Sequence, residues 1–286
     1  MITWAQNFED IYIRKFYDNF AKQYVDSVKF MNFIDIGAWE PALDSVSKHF
    51  IDSGWSGLLI DANPEMVKKL KNEYLGNKNI SVLNLAVTNS DQEYVSLFVP
   101  KNTTGWASLN VEHIERLSED YSCIKVQAIR LDDLILSYDK FIFFVKIDAE
   151  TYEENIIQPH VNNGQIVLFV LEKVNDKIID LMNKKNYDYK FNDGLNGYFV
   201  NNNFDKVKSP LPINVIEDAN WVPAKNHFLT ASLVSEFNLK IEELKEQIVK
   251  LNYENVKLEL DLNQVTSSLS MRITLPLRKL KNLFRR

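Results

Sequence analysis

Apolar positions along the chain follow two rhythms. Over roughly the first two-thirds, short unbroken apolar runs of the kind that suit strands buried on both faces alternate with stretches of helical spacing. MNFIDIGA (31–38) and GLLIDA (57–62) are two such runs. SVSKHFIDSG (45–54) follows the first with helical periodicity and stops at Gly54. NPEMVKKLKNEYL (63–75) follows the second, with Asn63 as N-cap and Pro64 at the first helical position. Further strands are predicted at 80–87, 94–100, 141–148 and 166–172, and a helix at 176–186. A closing hairpin is predicted from YDYKF and GYFVN around NDGLN. Strands that alternate with helices and end in an antiparallel hairpin predict an α/β fold, a Rossmann-like doubly wound sheet, over residues 1–205.

The second rhythm begins after residues 206–227, where Pro210, Pro212 and Pro223 and weak periodicity predict a linker or a strap packed on the domain. Val234, Phe237, Ile241, Leu244, Ile248, Leu251, Asn255, Leu258, Leu262, Val265 and Leu269 then alternate by three and four residues without a break. This predicts a coiled coil over 228–269. Its one polar seam residue, Asn255, would pair with its symmetry mate in a parallel dimer and fix the register. Pro276 breaks the coil from the residues beyond it. In the last segment, 270–286, Ile273, Leu275, Leu277, Leu280, Leu283 and Phe284 lie among six cations, which predicts a basic amphipathic tail for an anionic membrane surface.

Composition narrows the class. With 45% apolar and 12% aromatic residues among 286, the chain can bury a sizeable core and is neither disordered nor low-complexity. A single cysteine, Cys123, excludes an intramolecular disulfide framework. The first twenty residues carry Glu9, Asp10, Arg14 and Lys15 among their apolar positions, which is unlike a signal peptide or a membrane span. The net charge of −6 conceals an asymmetry: the last fifteen residues hold six cations and no acid, so the other 271 carry −12. Such an acidic body is a poor nucleic-acid binder, and the expected location is the cytoplasm, with the tail on the inner face of the cell membrane.

Candidate chemistry gathers at predicted strand ends. In FIDIGAWEP (33–41), Asp35 near the end of the first strand and Gly37 two residues on allow a tight turn around a ligand. The G-x-G-x-x-G loop that seats a pyrophosphate is missing. Asp61 ends the second strand, where a carboxylate would bind both hydroxyls of a ribose. An adenosyl ligand without pyrophosphate points to S-adenosylmethionine, and a nicotinamide-dependent oxidoreductase is disfavoured for want of the glycine loop. Asp148, Glu150 and Glu172 fall at later strand ends, and the turn Asp193 to Asn196 shares their edge. No His pair or comparable ligand cluster is present, so no metal is expected, with a divalent ion on Asp148 and Glu150 left open. Trp55 reads as packing; Trp39 and Trp106 are placed to pack or to stack on a sugar or adenine.

Several motifs together resemble the FkbM-type S-adenosylmethionine-dependent methyltransferases, in particular a bacterial branch found among surface-polysaccharide genes. WAQNFED (4–10) is similar to the N-terminal motif of that branch, and DIGAWEPALDSVSKHFIDSGWSGLLIDANP (35–64) to its cofactor region, with Asp61 in place of the usual Glu. TTGWASL (103–109) with His113 resembles its central loop. KIDAETYEENII (146–157) resembles the lysine–aspartate–acidic signature, with Thr151 where Gly is usual. NDGLNGYFV (192–200) resembles the closing hairpin, with Gly197 where Arg is usual.

The resemblance implies a cofactor site at Asp10, Asp35, Gly37, Ala38, Trp39, Asp61, Ala62, Asn63 and Ala86. It implies catalytic residues among Lys146, Asp148, Glu150, Asp193 and His113, with Asp148 favoured as general base because a strand terminus fixes its position. The implied activity is O-methylation of a sugar hydroxyl on a bacterial surface glycan or its precursor, by a dimer joined through the coiled coil. The alternative is a catalytically inactive scaffold that recruits glycan-assembly enzymes through the same coil.

Overall fold

The computed structural model describes residues 1–24, 26–204, 221–225, 227–268, 272–274 and 276–277. Two units emerge, Met1–Phe228 and Leu229–Arg286.

Successive side chains of a strand point to opposite faces, so an unbroken apolar run buries both. In the first unit, β1 (Ile2–Thr3) and α1 (Glu9–Gln23) precede the central strands β2 (Asn32–Ile36), β3 (Ser56–Asp61) and β4 (Ile80–Asn84). The helices α2 (Lys48–Asp52) and α3 (Pro64–Glu73) intervene. The short strand β5 (Ala86–Thr88), β6 (Tyr94–Pro100), α4 (Val111–Arg116), β7 (Tyr121–Arg130) and α5 (Leu131–Tyr138) come next. They are followed by β8 (Ile142–Ile147), α6 (Glu153–Ile157), β9 (Ile166–Glu172), α7 (Asp176–Lys184), β10 (Tyr187–Asn192) and β11 (Asn196–Asn201). Seven strands form one sheet in the order β10-β11-β9-β8-β2-β3-β4. The five from β9 to β4 are parallel, and the β10–β11 hairpin joins antiparallel to β9.

Two aromatic and aliphatic layers cover this sheet. Phe33, Phe144 and Val170 face one side, against Phe16 and Phe20 of α1, Phe50 of α2 and Leu70 of α3. Ile34, Val145 and Leu171, each one residue further along the same strands, face the other side against Leu134 of α5, Ile156 of α6 and Met182 of α7. The doubly wound architecture therefore follows from the runs themselves. The N-cap predicted for the second helix is present: the Glu65 N–H donates to Asn63 Oδ1 at 3.0 Å, ahead of Pro64.

The region between β4 and β8 departs from the expected pattern. The run 80–87 is split, because Asn84 turns its amide onto the Asp61 and Ala62 carbonyls (3.0 and 2.9 Å) and the chain leaves the main sheet there. β5 continues in a separate three-stranded sheet with β7 and β6, so 94–100 is a strand but lies outside the main sheet.

The N-terminal segment is clasped from the far end of the same unit. β1 pairs in parallel with β12 (Val222–Pro223), and Ala224 N–H donates to Thr3 O at 2.8 Å. His227 Nε2 lies 3.0 Å from Ala5 O. Of the expected linker or strap, 206–227, residues 206–220 and 226 fall outside the described residues.

In the second unit, α8 (Phe228–Ser267) is a continuous helix of 40 residues. Its seam residues Ile241, Leu244, Ile248, Leu251, Leu258, Leu262 and Val265 are all exposed, from 46% to 64%. Most of the expected tail lies outside the described residues. Among the described residues, no helix is long and apolar enough to cross a membrane.

Candidate functional site

A cavity of about 440 Å³ opens beyond the carboxyl ends of β2, β3, β8 and β9, within the usual range for small-molecule sites. One end is made by the first two strand–helix turns. Gly37 and Ala38 N–H both donate to Ile60 O (2.9 and 3.1 Å), and Asp148 N–H donates to Ile36 O (3.0 Å), so the chain after β2 is wedged between two neighbouring strand ends. Gly37 has φ +79°, and a Cβ there would sit 1.9 Å from the Asp148 carbonyl oxygen, which leaves room only for glycine. Asp61 is held by Trp39 N–H on Oδ2 (2.9 Å) and Asn63 N–H on Oδ1 (2.7 Å). Burial pushes its carboxyl up to about 6, against the pull of those two donors. The close approach at Gly37 and the strand-end carboxylate of Asp61, with no pyrophosphate loop, fit S-adenosylmethionine.

The other end is dense with charge. Register sets Asp35 opposite Lys146, and Ile147 opposite Leu171, so the residues that come after these two, Asp148 and Glu172, leave adjacent strand ends. Lys146 Nζ lies 3.0 Å from Asp148 Oδ2 and 4.0 Å from Asp35 Oδ1. Burial works against the Lys146 charge, but Asp148 and Asp35 outweigh it and raise the ammonium above the ordinary lysine range. For Asp148 burial acts upward, yet the Lys146 ammonium prevails and keeps the carboxyl below its usual value. Glu172 is pushed up to about 9, first by burial and then by the neighbouring Asp148. Lys173 Nζ bridges Glu150 Oε2 (2.5 Å) and Glu172 Oε1 (3.2 Å).

The turn after β8 is strained. Glu150 (φ +48°) and Thr151 (φ +76°) both occupy the left-handed region, costly for a β-branched residue. Ser108 Oγ donates to Glu150 O at 2.8 Å and Asn110 Nδ2 to Thr151 Oγ1 at 3.1 Å, which pins the turn to the loop before α4.

Of the residues expected at the cofactor, Asp35, Gly37, Ala38 and Trp39 line the cavity from the first turn, and Asp61, Ala62, Asn63 and Ala86 from the second and the start of β5. Lys146, Asp148 and Glu150 line its other end. Three expected residues lie elsewhere. Asp10 is fully buried and accepts from Thr3 Oγ1 (2.8 Å), Trp4 N–H (2.7 Å) and Ile11 N–H (2.8 Å), so it organises the entry to α1 instead of touching the cavity. Asp193 forms the hairpin turn by accepting from Leu195 and Asn196 N–H, Tyr198 Oη and Asn7 Nδ2. His113 stands behind Glu150, its Nε2 3.7 Å from Glu150 Oε2.

Glu9, adjacent to Asp10, is the residue of that pair in the cavity wall. It accepts from Asn196 Nδ2 (2.8 Å), and burial raises its carboxyl to about 7. Nothing in a Glu-Asp pair says which of the two faces a ligand. Glu153, which approaches Asp148 and Glu172, was also missed, whereas Glu172 was placed at a strand end beside Asp148 without a role. Glu172 had a signal, being the last residue of an apolar run as Asp61 is. Trp39 lines the cavity with its indole Nε1 buried and without a hydrogen-bond partner, and Trp106 stands at the wall 49% exposed, whereas Trp55 is core.

Comparison with known proteins bears on this cavity. Residues 35–191, more than half of the chain, match the family model described as "Methyltransferase FkbM domain". No curated protein matches the chain. Among solved structures, WbdD in a co-crystal with the kinase inhibitor LY294002 is similar at 11% identity and a TM-score of 0.37. The match covers 66% of this chain and 39% of that one, so the chain spans well under half the length of WbdD. TrmK of M. capricolum in complex with S-adenosyl-homocysteine is similar at 13% identity and a TM-score of 0.32, over 82% of this chain and 88% of that one.

Proposed function

The chain belongs to the FkbM methyltransferase family, and from that premise we propose that it methylates a sugar hydroxyl of a bacterial surface glycan or of its precursor. S-adenosylmethionine is the cofactor and supplies a methyl group activated on a sulfonium. In this reading Asp61 takes the ribose hydroxyls, Gly37 lets the chain pass close to the cofactor, and Asp148 takes the proton of the acceptor hydroxyl as it leaves. Lys146 holds Asp148 in place and ionised. The observation that carries the reading is Asp148 itself, a carboxylate fixed at a strand end and set against the glycine turn of the cofactor end. An in-line displacement needs a base held in that relation to the methyl donor.

The C-terminal helix joins two copies as a parallel coiled coil. Val234, Ile241 and Ile248 alternate with Leu244, Leu251 and Leu258 along its seam, and β-branched residues at the first position with Leu at the second favour two strands. The basic tail then rests on an anionic membrane surface.

Mass spectrometry of the surface glycan from strains with and without the gene tests the acceptor. The expected result is the loss of one methyl per modified sugar. An unchanged glycan, with cofactor binding intact in the purified protein, overturns the sugar reading and leaves the inactive scaffold. Light scattering of the full chain tests the coil, with a monomer as the overturning result.

A further inference from the structure

The ends of β8 and β9 gather more carboxyl groups than there are ammoniums to meet them. Asp148 and Glu172 leave these neighbouring strands side by side, and Glu153 turns in from the start of α6 with Oε1 accepting from Ala149 N–H at 2.8 Å. One carboxylate oxygen from each of Asp148, Glu153 and Glu172 lies within 4.8 Å of the other two, and both glutamates are buried. The ammoniums within reach are committed, Lys146 to Asp148 and Asp35, Lys173 to Glu150 and Glu172 Oε1. With Asp35 and Glu150 included, five carboxyl groups share two ammoniums.

A separate observation concerns Glu172, whose side chain is only 9% exposed. Lys173 reaches its Oε1, but its Oε2 is shielded from solvent and has no hydrogen-bond partner. Buried beside Asp148, such an oxygen needs either a proton, which is why the carboxyl is pushed up to about 9, or a cation in the proton's place. Oxygens bound to one magnesium or manganese ion at about 2.0–2.2 Å lie up to about 4.4 Å apart, close to the spacing of this cluster. The donor set is all oxygen, without His or Cys, which suits a hard ion over zinc or copper.

We propose that Asp148, Glu153 and Glu172 form a binding site for a hard divalent cation, magnesium or manganese, at the acceptor end of the cavity. The inference deepens the reading of the preceding subsection: on that reading the ion polarises the acceptor hydroxyl, so that Asp148, a weak base, meets a more acidic proton. Two of its ligands, Asp148 and Glu153, lie within the 146–157 segment, and Glu172 joins them from the neighbouring strand end.

The test titrates chelator-treated, full-length protein with manganese chloride in the presence of S-adenosylmethionine, following the electron paramagnetic resonance signal of the free ion. One ion is expected per chain, displaced by excess magnesium. Glu172→Gln and Glu153→Gln should each weaken uptake about tenfold or more while cofactor binding persists. In Glu153→Gln the side-chain carbonyl can still accept from the Ala149 N–H, so the turn is kept. No uptake by the wild-type protein overturns the site, as does uptake that is equal in Glu172→Gln with its cofactor binding intact. Ion uptake without methyl transfer to any glycan strikes the acceptor reading alone; methyl transfer without ion uptake strikes the site alone.

Discussion

The two ends of the cavity are built on opposite principles. At the cofactor end, Gly37, Trp39, Asp61 and Asn63 lie within two short turns, and the Asp61 carboxylate is met by two backbone N–H groups close by. At the acceptor end, Asp148 and Glu150 of the turn after β8, Glu153 at the start of α6 and Glu172 at the end of β9 outnumber the lysines between them, and two consecutive residues of that turn, Glu150 and Thr151, occupy the left-handed region. The first end has one residue, Trp39, in the left-handed region and one buried carboxylate held by two donors. The second holds repelling charges and backbone strain that persist only because a fully buried sheet lies underneath, as is usual where a protein does chemistry.

The contrast can be broken at its most loaded point. Asp148→Asn should lower turnover by roughly 10²-fold or more, with calorimetric cofactor affinity and the thermal midpoint close to wild type; equal turnover would move the base elsewhere. Gly37→Ala attacks the easy end. Its methyl would meet the Asp148 carbonyl and its φ would be strained, so thermal unfolding should show a loss of at least about 2 kcal/mol together with weakened cofactor binding.

Acidification separates the two ends without mutation. Asp61 titrates at about 6 in the folded chain against 3.8 unfolded. The folded state therefore holds this proton more tightly. The stabilising contribution of Asp61 is full below the unfolded value and is lost as pH rises through about 6. Ribose hydroxyls donate to the carboxylate, so cofactor affinity should fall as pH drops through about 6, by up to about tenfold per unit. Cofactor affinity and the apo stability contributed by Asp61 thus move in opposite directions, and Asp61→Asn should flatten both slopes in titration calorimetry and thermal melts. The smallest effect sharpens the comparison. Thr151→Gly should raise stability by about 1 kcal/mol in denaturant unfolding, because a glycine relieves the left-handed strain.

How much was legible depends on where each signal lives. The runs 31–36, 57–60, 142–147 and 166–171 announce themselves because both faces of the sheet are covered and the only polar residues in them are Asn32 at the entry to β2 and the pair Asp35 and Lys146. β7 escaped because only Val126 of its ten residues is buried; a strand on a small outlying sheet has little apolar pattern to offer. Asn84 broke the run 80–87 through a side-chain contact with β3 that propensity does not contain. The cofactor end was readable for the reason that makes it local. Glu9 was not, since its entry into the cavity depends on how α1 docks, nor was the approach of Glu153 to Glu172, which depends on α6; Asp193 and Asp10 were misplaced because a carboxylate that closes a turn looks in sequence like one that meets a ligand.

The clasp between β1 and β12 imposes an order on assembly. The sheet from β2 to β11 can pair as soon as residue 201 is made, but Ile2 and Thr3 have no strand to rest on until Val222 and Pro223 arrive. Gln6 and Glu9, which form one wall of the cavity, are synthesised before that sheet and secured after it. Contacts of such long sequence separation form late. On the ribosome and in refolding, a nearly native sheet with an open cavity should therefore precede the state that retains its cofactor, and the slowest event in maturation should be the closing of a seam about 220 residues long in sequence.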